Sequence, residues 1–359
     1  MSLPDDLIML TSDLIRFQST AHQPEQIAAA ADYIAAFLET IPNIFIHRSE
    51  AQGVPSLVAT LHDTRHPTLM LNGHFDVVAA APALFAPRVA DGRIIGRGSQ
   101  DMKGSLAVML CLLRDLAQLE PRPNIGMQFV GDEEIGGKYG TERLVAEGWH
   151  CDFCITTEPT ELRICYQQKG AMWLTLRLPG SPTHASRPWD GRNPIYPYAE
   201  GVLALAGQFP PPTHEVWRTT ATPTILNSGG NSPNQVASAL DFSIDIRYTD
   251  EHTPPKLLEL VQQAFVGVEI VTAKHSDGLS ADPEHPAIQR LAQITQARRG
   301  VPTPLYREHY GSDARFFTQA GMPAVCFGPT GTGLHSDYEW VEVDSLVALY
   351  DVLYATCTE

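Results

Sequence analysis

The sequence predicts an α/β protein carrying a smaller inserted α+β domain. Three observations predict it: helical and strand-like spacings alternate up to about Lys169, the rhythm then turns strand-rich, and the alternation returns after Ala281. Apolar residues keep a helical spacing from Leu7 to Leu38. After Pro42 come short β-rich runs at Ile44–His47, Ser56–Leu61 and Thr68–Leu71. A helix over Ser105–Leu119, a strand over Ile125–Val130, a helix over Thr141–Glu147 and a strand over Phe153–Thr157 follow, an order that favours a largely parallel sheet with helices on both faces. From Lys169 the strands Met172–Leu178, Thr224–Leu226 and Gln235–Tyr248 flank helices over Pro194–Gly207 and Pro255–Phe265. A helix over Pro286–Arg298, a strand over Ala324–Gly328 and a helix over Asp344–Thr356 complete the larger domain. The expected division is 1–169 with 281–359 for the larger domain and 170–280 for the insert.

Composition narrows the function. With 359 residues, 43 % hydrophobic and no repeat or low-complexity tract, the chain can bury a substantial core. The 25 Lys and Arg against 41 Asp and Glu give a net charge of −16, which repels a polyphosphate, so nucleic acid is not an expected partner. Most of the surplus acids read as a solvated surface. The six cysteines lie mostly in apolar runs of a chain too large to depend on disulfides, which fits a reducing compartment. Cys151 and Cys154 form C-x-x-C, but no second pair follows at zinc-ribbon spacing, and two half-buried thiols explain them better. The acidic start lacks the features of a signal peptide, and the apolar run Ser105–Leu113 is too short to span a bilayer. A soluble, cytoplasmic protein away from membranes is expected.

Five motifs sit where predicted strands run out into loops, the place where open α/β sheets build sites. In Gly73-His74-Phe75-Asp76, residues two apart on extended chain point the same way, so Asp76 can hydrogen-bond the His74 imidazole and fix its tautomer for a metal. Gly96-Arg97-Gly98-Ser99-Gln100-Asp101-Met102-Lys103-Gly104 resembles a dinucleotide loop only superficially, because Asp101 replaces the third glycine and would face a pyrophosphate with its charge. A carboxylate in such a loop suits a bridge between two cations. Gly131-Asp132-Glu133-Glu134-Ile135-Gly136-Gly137 places three acids in a row; beside a metal, Glu134 can bind it while Glu133 takes a proton, and in isolation the run is a solvated loop. Thr156-Thr157-Glu158-Pro159-Thr160 offers an oxygen ligand, and Gly331-Thr332-Gly333-Leu334-His335-Ser336-Asp337-Tyr338-Glu339-Trp340 a late histidine that alone would read as structural.

Taken together, in the order H-x-D, D, E-E, E, H, these motifs resemble the M20 family of metallopeptidases and deacylases, essentially end to end. That family includes glutamate carboxypeptidase, tripeptidase T, aminoacylase-1, acetylornithine deacetylase and succinyl-diaminopimelate desuccinylase. The resemblance implies a zinc-peptidase-like catalytic domain with a mixed sheet flanked by helices, plus an inserted α+β lid and dimerisation domain. It implies two divalent ions, zinc first, with cobalt or manganese able to take the same ligands. Asp101 would bridge them, His74 and Glu158 would complete one site, and Glu134 and His335 the other. Glu133 would be the general base, and the Asp101–Met102 peptide would be cis.

The same resemblance reaches the insert. Gly180-Ser181-Pro182-Thr183-His184-Ala185-Ser186-Arg187-Pro188 looks like the family's lid signature, in which His184 would cross to a partner's site and stabilise an oxyanion. Asn234 and Arg247, thirteen residues apart on adjoining strand segments, are similar to the family's substrate-contacting pair, and arginine is a natural fork for a carboxylate. The family often has proline where Ala237 stands. Lys169-Gly170 and Gly311-Ser312-Asp313 match segments near the substrate; Asp313 reads equally well as a helix N-cap. The implied substrate is a small carboxylate-bearing amide or peptide. Glu158 in place of Asp leans toward the deacylases. A lid of about 110 residues has the simple, undoubled size that goes with a homodimer. Rival readings are an M20 peptidase, a single-metal aminopeptidase acting as a monomer, and a metal-binding scaffold without turnover.

Overall fold

Helix breakers divide the first apolar run. The helical spacing expected from Leu7 to Leu38 forms two helices, Leu3–Ile15 and Pro24–Glu39. Pro24 starts the second because its fixed φ and missing N–H suit a first helical position and no interior one. The computed structural model describes residues 2–230 and 232–359. They form two units: Met1–Gln167, Leu279–Glu308 and Ser312–Glu359 in the larger, Gln168–Gly278 and His309–Gly311 in the smaller.

The larger unit is built on an eight-stranded sheet in the order Phe45–Ala51, Val54–Thr60, Ile125–Val130, Leu69–His74, Phe153–Thr156, Ala324–Cys326, Ile164–Gln168, Leu305–Glu308. The four adjacent strands from Ile125–Val130 to Ala324–Cys326 are parallel. The sheet as a whole is mixed, which corrects the largely parallel expectation drawn from element order. The reason is local: Gln52 and Gly53 both take positive φ, and this tight turn folds Val54–Thr60 back antiparallel to Phe45–Ala51. Side chains alternate between two cores. Leu57, Leu71, Met127, Phe129 and Ile155 pack toward the helices Leu3–Ile15, Pro24–Glu39, Gly104–Leu116 and Val343–Thr358. Val58, Met70, Val130 and Cys154 pack toward Leu144, Phe316 and Phe317 on the opposite face. Helices therefore cover both faces, as strands buried on both sides require. Cys151 and Cys154 are buried free thiols, with the Cys151 sulfur 3.9 Å from Met322 Sδ.

A four-stranded satellite sheet of the same unit was not expected. Arg88–Ala90, Arg93–Ile95, Trp340–Glu342 and Gly331–Thr332 combine, with Trp340 opposite Ile95. It ties the segment before Gly96 to the segment after His335.

The smaller unit is an antiparallel sheet in the order Thr220–Ser228, Ala239–Tyr248, Gly170–Pro179, Glu269–Ser276, with the helices Ile195–Gln208 and Pro254–Ala264 sharing its core. Every second residue of Ala239–Tyr248 is buried, the strict alternation of a sheet with one apolar face. Asn234 lies in a turn ahead of that strand, which starts at Ala239 and not at Gln235 as expected. Among the described residues no helix is long and apolar enough to cross a membrane.

Candidate metal centre

Three site-bearing strands lie side by side in the middle of the large sheet and point the same way. His74 ends the central one, in register with Val130, and Asn72 is in register with Thr156. The loops leaving these strands therefore start at one level and carry Glu133, Glu134 and Glu158 toward His74. Asp101 comes from the turn Ser99–Lys103 ahead of the helix Gly104–Leu116, and the Asp101–Met102 peptide is cis.

The geometry gathers these side chains into two clusters. His74, Glu133 and Glu158 each bring a donor atom within 4.8 Å of the others, and so do Asp101, Glu134 and His335. Asp101 faces both: Oδ1 lies 3.1 Å from His74 Nε2, and Oδ2 lies 3.3 Å from His335 Nε2. His74 Nε2 is also 3.8 Å from Glu158 Oε1, and His335 Nε2 is 3.3 Å from Glu134 Oε2. Asp101, Glu133 and Glu158 around the His74 imidazole, and Asp101 and Glu134 around the His335 imidazole, make a fitting set for a pair of divalent cations.

The electrostatics point the same way. Glu133 keeps an edge to solvent, yet desolvation and then the charge of Glu158 push its carboxyl well above the ordinary range. Glu158 is pushed well up by burial first and then by Asp101. Burial would also raise Asp101, but hydrogen bonds from His335 and His74 hold it below the usual carboxylate range. His335 is lifted to about 10 by its hydrogen bonds to Asp101 and then Glu134. His74 is fully desolvated, which opposes its protonation, and the bonds to Asp101 and Asp76 overcome that and raise it well above normal. Crowded acids steadied only by two imidazoles are what a cation pair would relieve.

Asp76 departs from expectation in one respect. The His74 Nδ1 partner is the Asp76 backbone carbonyl at 2.9 Å, with the carboxylate farther away at 3.4 Å. The carboxylate instead accepts from the amides of Glu133 at 3.2 Å and Glu134 at 3.0 Å. It fixes the acid loop as well as the histidine. Asp313 is not the side-chain cap that its position suggests: Oδ2 accepts from the Thr141 hydroxyl at 2.6 Å, and no cap bond forms. The Ser312 hydroxyl is buried 3.0 Å from Cys326 Sγ.

The remaining expected residues belong to the smaller unit. His184 is exposed, with Nδ1 2.8 Å from Ser186 Oγ, and bridges to Gln235. The exposed Asn234 is joined to that segment by the Ala185 amide, which donates to its carbonyl at 2.8 Å. Arg247 is paired with Asp245 at 2.8 Å and lies over the Trp173 ring. Lys169 is buried, its Nζ donating to the Val216 carbonyl at 3.1 Å, and burial followed by Arg218 lowers its pKa.

Two residues beside the centre lie inside the sequence motifs, which assign them no role. Lys103 is fully buried, donates to the Phe17 carbonyl at 2.8 Å, and is lowered by desolvation to about 7 against the pull of Glu339. Glu339 itself is fully buried and accepts backbone donors from the Asp101 loop. The sequence signal for Glu339 is its place in the motif that carries His335, directly before the short strand Trp340–Glu342.

Gly137 shows how tightly the acid loop is seated. It has φ +65°, and a Cβ there would lie 2.0 Å from Asp313 Oδ1. Gly137→Ala combines a left-handed backbone with a clash against a buried carboxylate. It is expected to cost about 2–5 kcal/mol, visible as a lowered denaturant midpoint; an unchanged midpoint would mean the loop relaxes freely.

Comparisons with known proteins place the chain in a family. The profile described as "Peptidase family M20/M25/M40" matches residues 70–359. A succinyl-diaminopimelate desuccinylase of Xanthomonas campestris pv. campestris (strain B100) is 29% identical over 389 residues, covering 99% of both chains. Among solved structures, a tripeptidase of Staphylococcus aureus subsp. aureus Mu50 superposes with a TM-score of 0.80 at 20% identity, over 99% of this chain and 97% of that one. An M20 family metallo-carboxypeptidase of Sulfolobus solfataricus gives 0.80 at 18% identity over 98% of each. With two donor clusters side by side and a profile match over most of its length, the chain belongs to peptidase family M20/M25/M40 and is a metal-dependent hydrolase of amide or peptide bonds.

Proposed function

We propose that this protein removes the acyl group of a small N-acyl amino acid, as a deacetylase or desuccinylase does. The observation that carries the reading is Asp101 facing both donor clusters with the Glu133 carboxylate alongside. The desuccinylase relative, aligned over both full lengths, supports the acyl direction.

In this reading Asp101, His74 and Glu158 would hold one ion, and Asp101, Glu134 and His335 the other. Zinc suits mixed imidazole and carboxylate donors, and cobalt or manganese can take the same positions. When bound, such a pair supplies Lewis acidity to an amide carbonyl and brings the pKa of a water toward neutrality. Glu133 takes the proton of the attacking water on a carboxylate oxygen and delivers it to the leaving amine nitrogen. Its raised pKa suits the second half of that task, and the charge of His74, which opposes the rise, suits the first. Asp76 holds the Glu133 and Glu134 amides so that base and ligand diverge. His184 is assigned to the developing oxyanion from a second copy, and Asn234, Arg247, Lys169 and Ser312 to substrate binding, with Arg247 as the fork for a carboxylate.

A homodimer through the insert is part of the proposal. Its support is the edge strand Thr220–Ser228 with Ile225 and Leu226 more than half exposed, beside a helix that exposes Tyr196 and Leu203. A cytoplasmic location is likewise proposed, from the buried free cysteines.

Hydrolysis of N-acetyl and N-succinyl amino acids beside dipeptides and tripeptides, by zinc-loaded protein with and without chelator, tests the function. Chelator-sensitive acyl release is expected. Cleavage of peptides alone would make it a peptidase, and no turnover would leave a metal-binding scaffold. Light scattering on the same sample should give twice the chain mass, and a monomer would remove His184 from its assigned role.

A further inference from the structure

The Glu339 carboxylate is fully buried and receives four donors: Arg97 Nη1 and the Gly98 amide at 2.9 Å on Oε2, the Gln100 amide at 3.0 Å and the Asp101 amide at 3.1 Å on Oε1. Its own carbonyl accepts from the Gly96 amide at 3.1 Å. Arg97, equally buried, uses Nη2 to reach the Ser336 carbonyl at 3.2 Å, one residue after His335. One ion pair therefore spans the loop that carries Asp101 and the loop that carries His335. Those two loops need such a tie. The His74 side chain is 2% exposed at the end of a core strand, whereas the His335 side chain is 53% exposed and stands at φ +58°. Apolar packing fixes the first histidine and does little for the second.

We infer that Arg97 and Glu339 form a positioning clamp that sets His335 against Asp101 and so tunes the affinity of the cation site made by Asp101, Glu134 and His335, without touching the ion. The inference rests on the two-metal reading above. Its physical basis is directional: a carboxylate accepts on both oxygens, and charge-assisted bonds from a planar guanidinium and three amides leave the loop little freedom. Glu339→Gln keeps the shape but turns an NH₂ group toward amides that also donate, so one pair of bonds is lost whichever way the side chain sits.

The test is titration of the metal-free full-length protein with cobalt(II), followed by visible absorption and calorimetry, with thermal melting of each metal-free form. Wild type should take up two ions; one or none would defeat the two-metal reading itself. In folded Glu339→Gln, one of the two binding events should weaken about 10–100-fold, as loss of an outer partner does elsewhere, and the other, which shares only Asp101 with it, by clearly less. Two events matching wild type overturn the clamp, and equal weakening of both assigns the pair to the fold and overturns it too. If Glu339→Gln does not fold, Arg97→Lys carries the test, since lysine keeps the charge but cannot reach both Glu339 and Ser336. It should show the same one-sided loss. Wild-type binding by Arg97→Lys, or failure of both variants to fold, also overturns the clamp.

Discussion

Replacing Glu133 by alanine should lower kcat by about 10²–10⁴-fold, the usual worth of a placed general base, while the protein still binds two ions. Among the described residues the Glu133 side chain has no hydrogen-bond partner, and Asp76 secures the loop through the Glu133 backbone amide. The loop should therefore survive the substitution, and the loss converts to roughly 3–5 kcal/mol of transition-state stabilisation. KM should move little, since the base acts on water and leaving group and not on substrate binding. The competing role is built into the same geometry: Glu133 also lies within reach of His74 and Glu158 as a donor. Metal analysis of the purified variant separates the two. Two ions with no turnover assign the base, whereas loss of an ion together with activity would make Glu133 a ligand.

How far this centre could be read beforehand depended on where its residues sit. His74, Glu134 and Glu158 follow fully buried central strands, Leu69–His74, Ile125–Val130 and Phe153–Thr156, whose apolar runs are conspicuous and whose ends fall within a few residues of expectation. Edge elements were harder. Glu269–Ser276 is almost wholly exposed, carries Lys274 and His275, and shows neither a clear alternation nor an apolar run, so it went unread. Satellite strands of two or three residues carry too few side chains to show a period at all. Partner choice was least legible. That His74 Nδ1 uses the Asp76 carbonyl, freeing the carboxylate for the acid loop, depends on backbone positions that no motif encodes. Glu339 meets Arg97 across 242 residues, and only the pairing of Arg93–Ile95 with Trp340–Glu342 brings them together.

Asp101→Ala should be more damaging than any other single change at the centre, because its two oxygens serve both clusters. Both ions should be weakened by more than about 100-fold, beyond what loss of an outer partner produces, and turnover should vanish with them. Retention of one ion at wild-type affinity would show that Asp101 belongs to a single site. The substitution also has a signature in chelated protein that needs no catalysis. His335 is held at about 10 in the folded chain, mainly by Asp101 and then Glu134, above its ordinary value near 6.5. A raised folded pKa contributes stability that is complete below about 6.5 and fades as pH rises toward 10. His74 acts in the same sense. Chelated wild type should thus lose part of its denaturant midpoint between pH 6.5 and pH 10, by a modest amount because His335 is half exposed to screening solvent. Asp101→Ala removes the leading partner of His335, so its midpoint should fall less over the same range. Parallel pH profiles for the two proteins would mean that the histidines are not electrostatically tied to Asp101, and the shared-carboxylate reading would lose its main support.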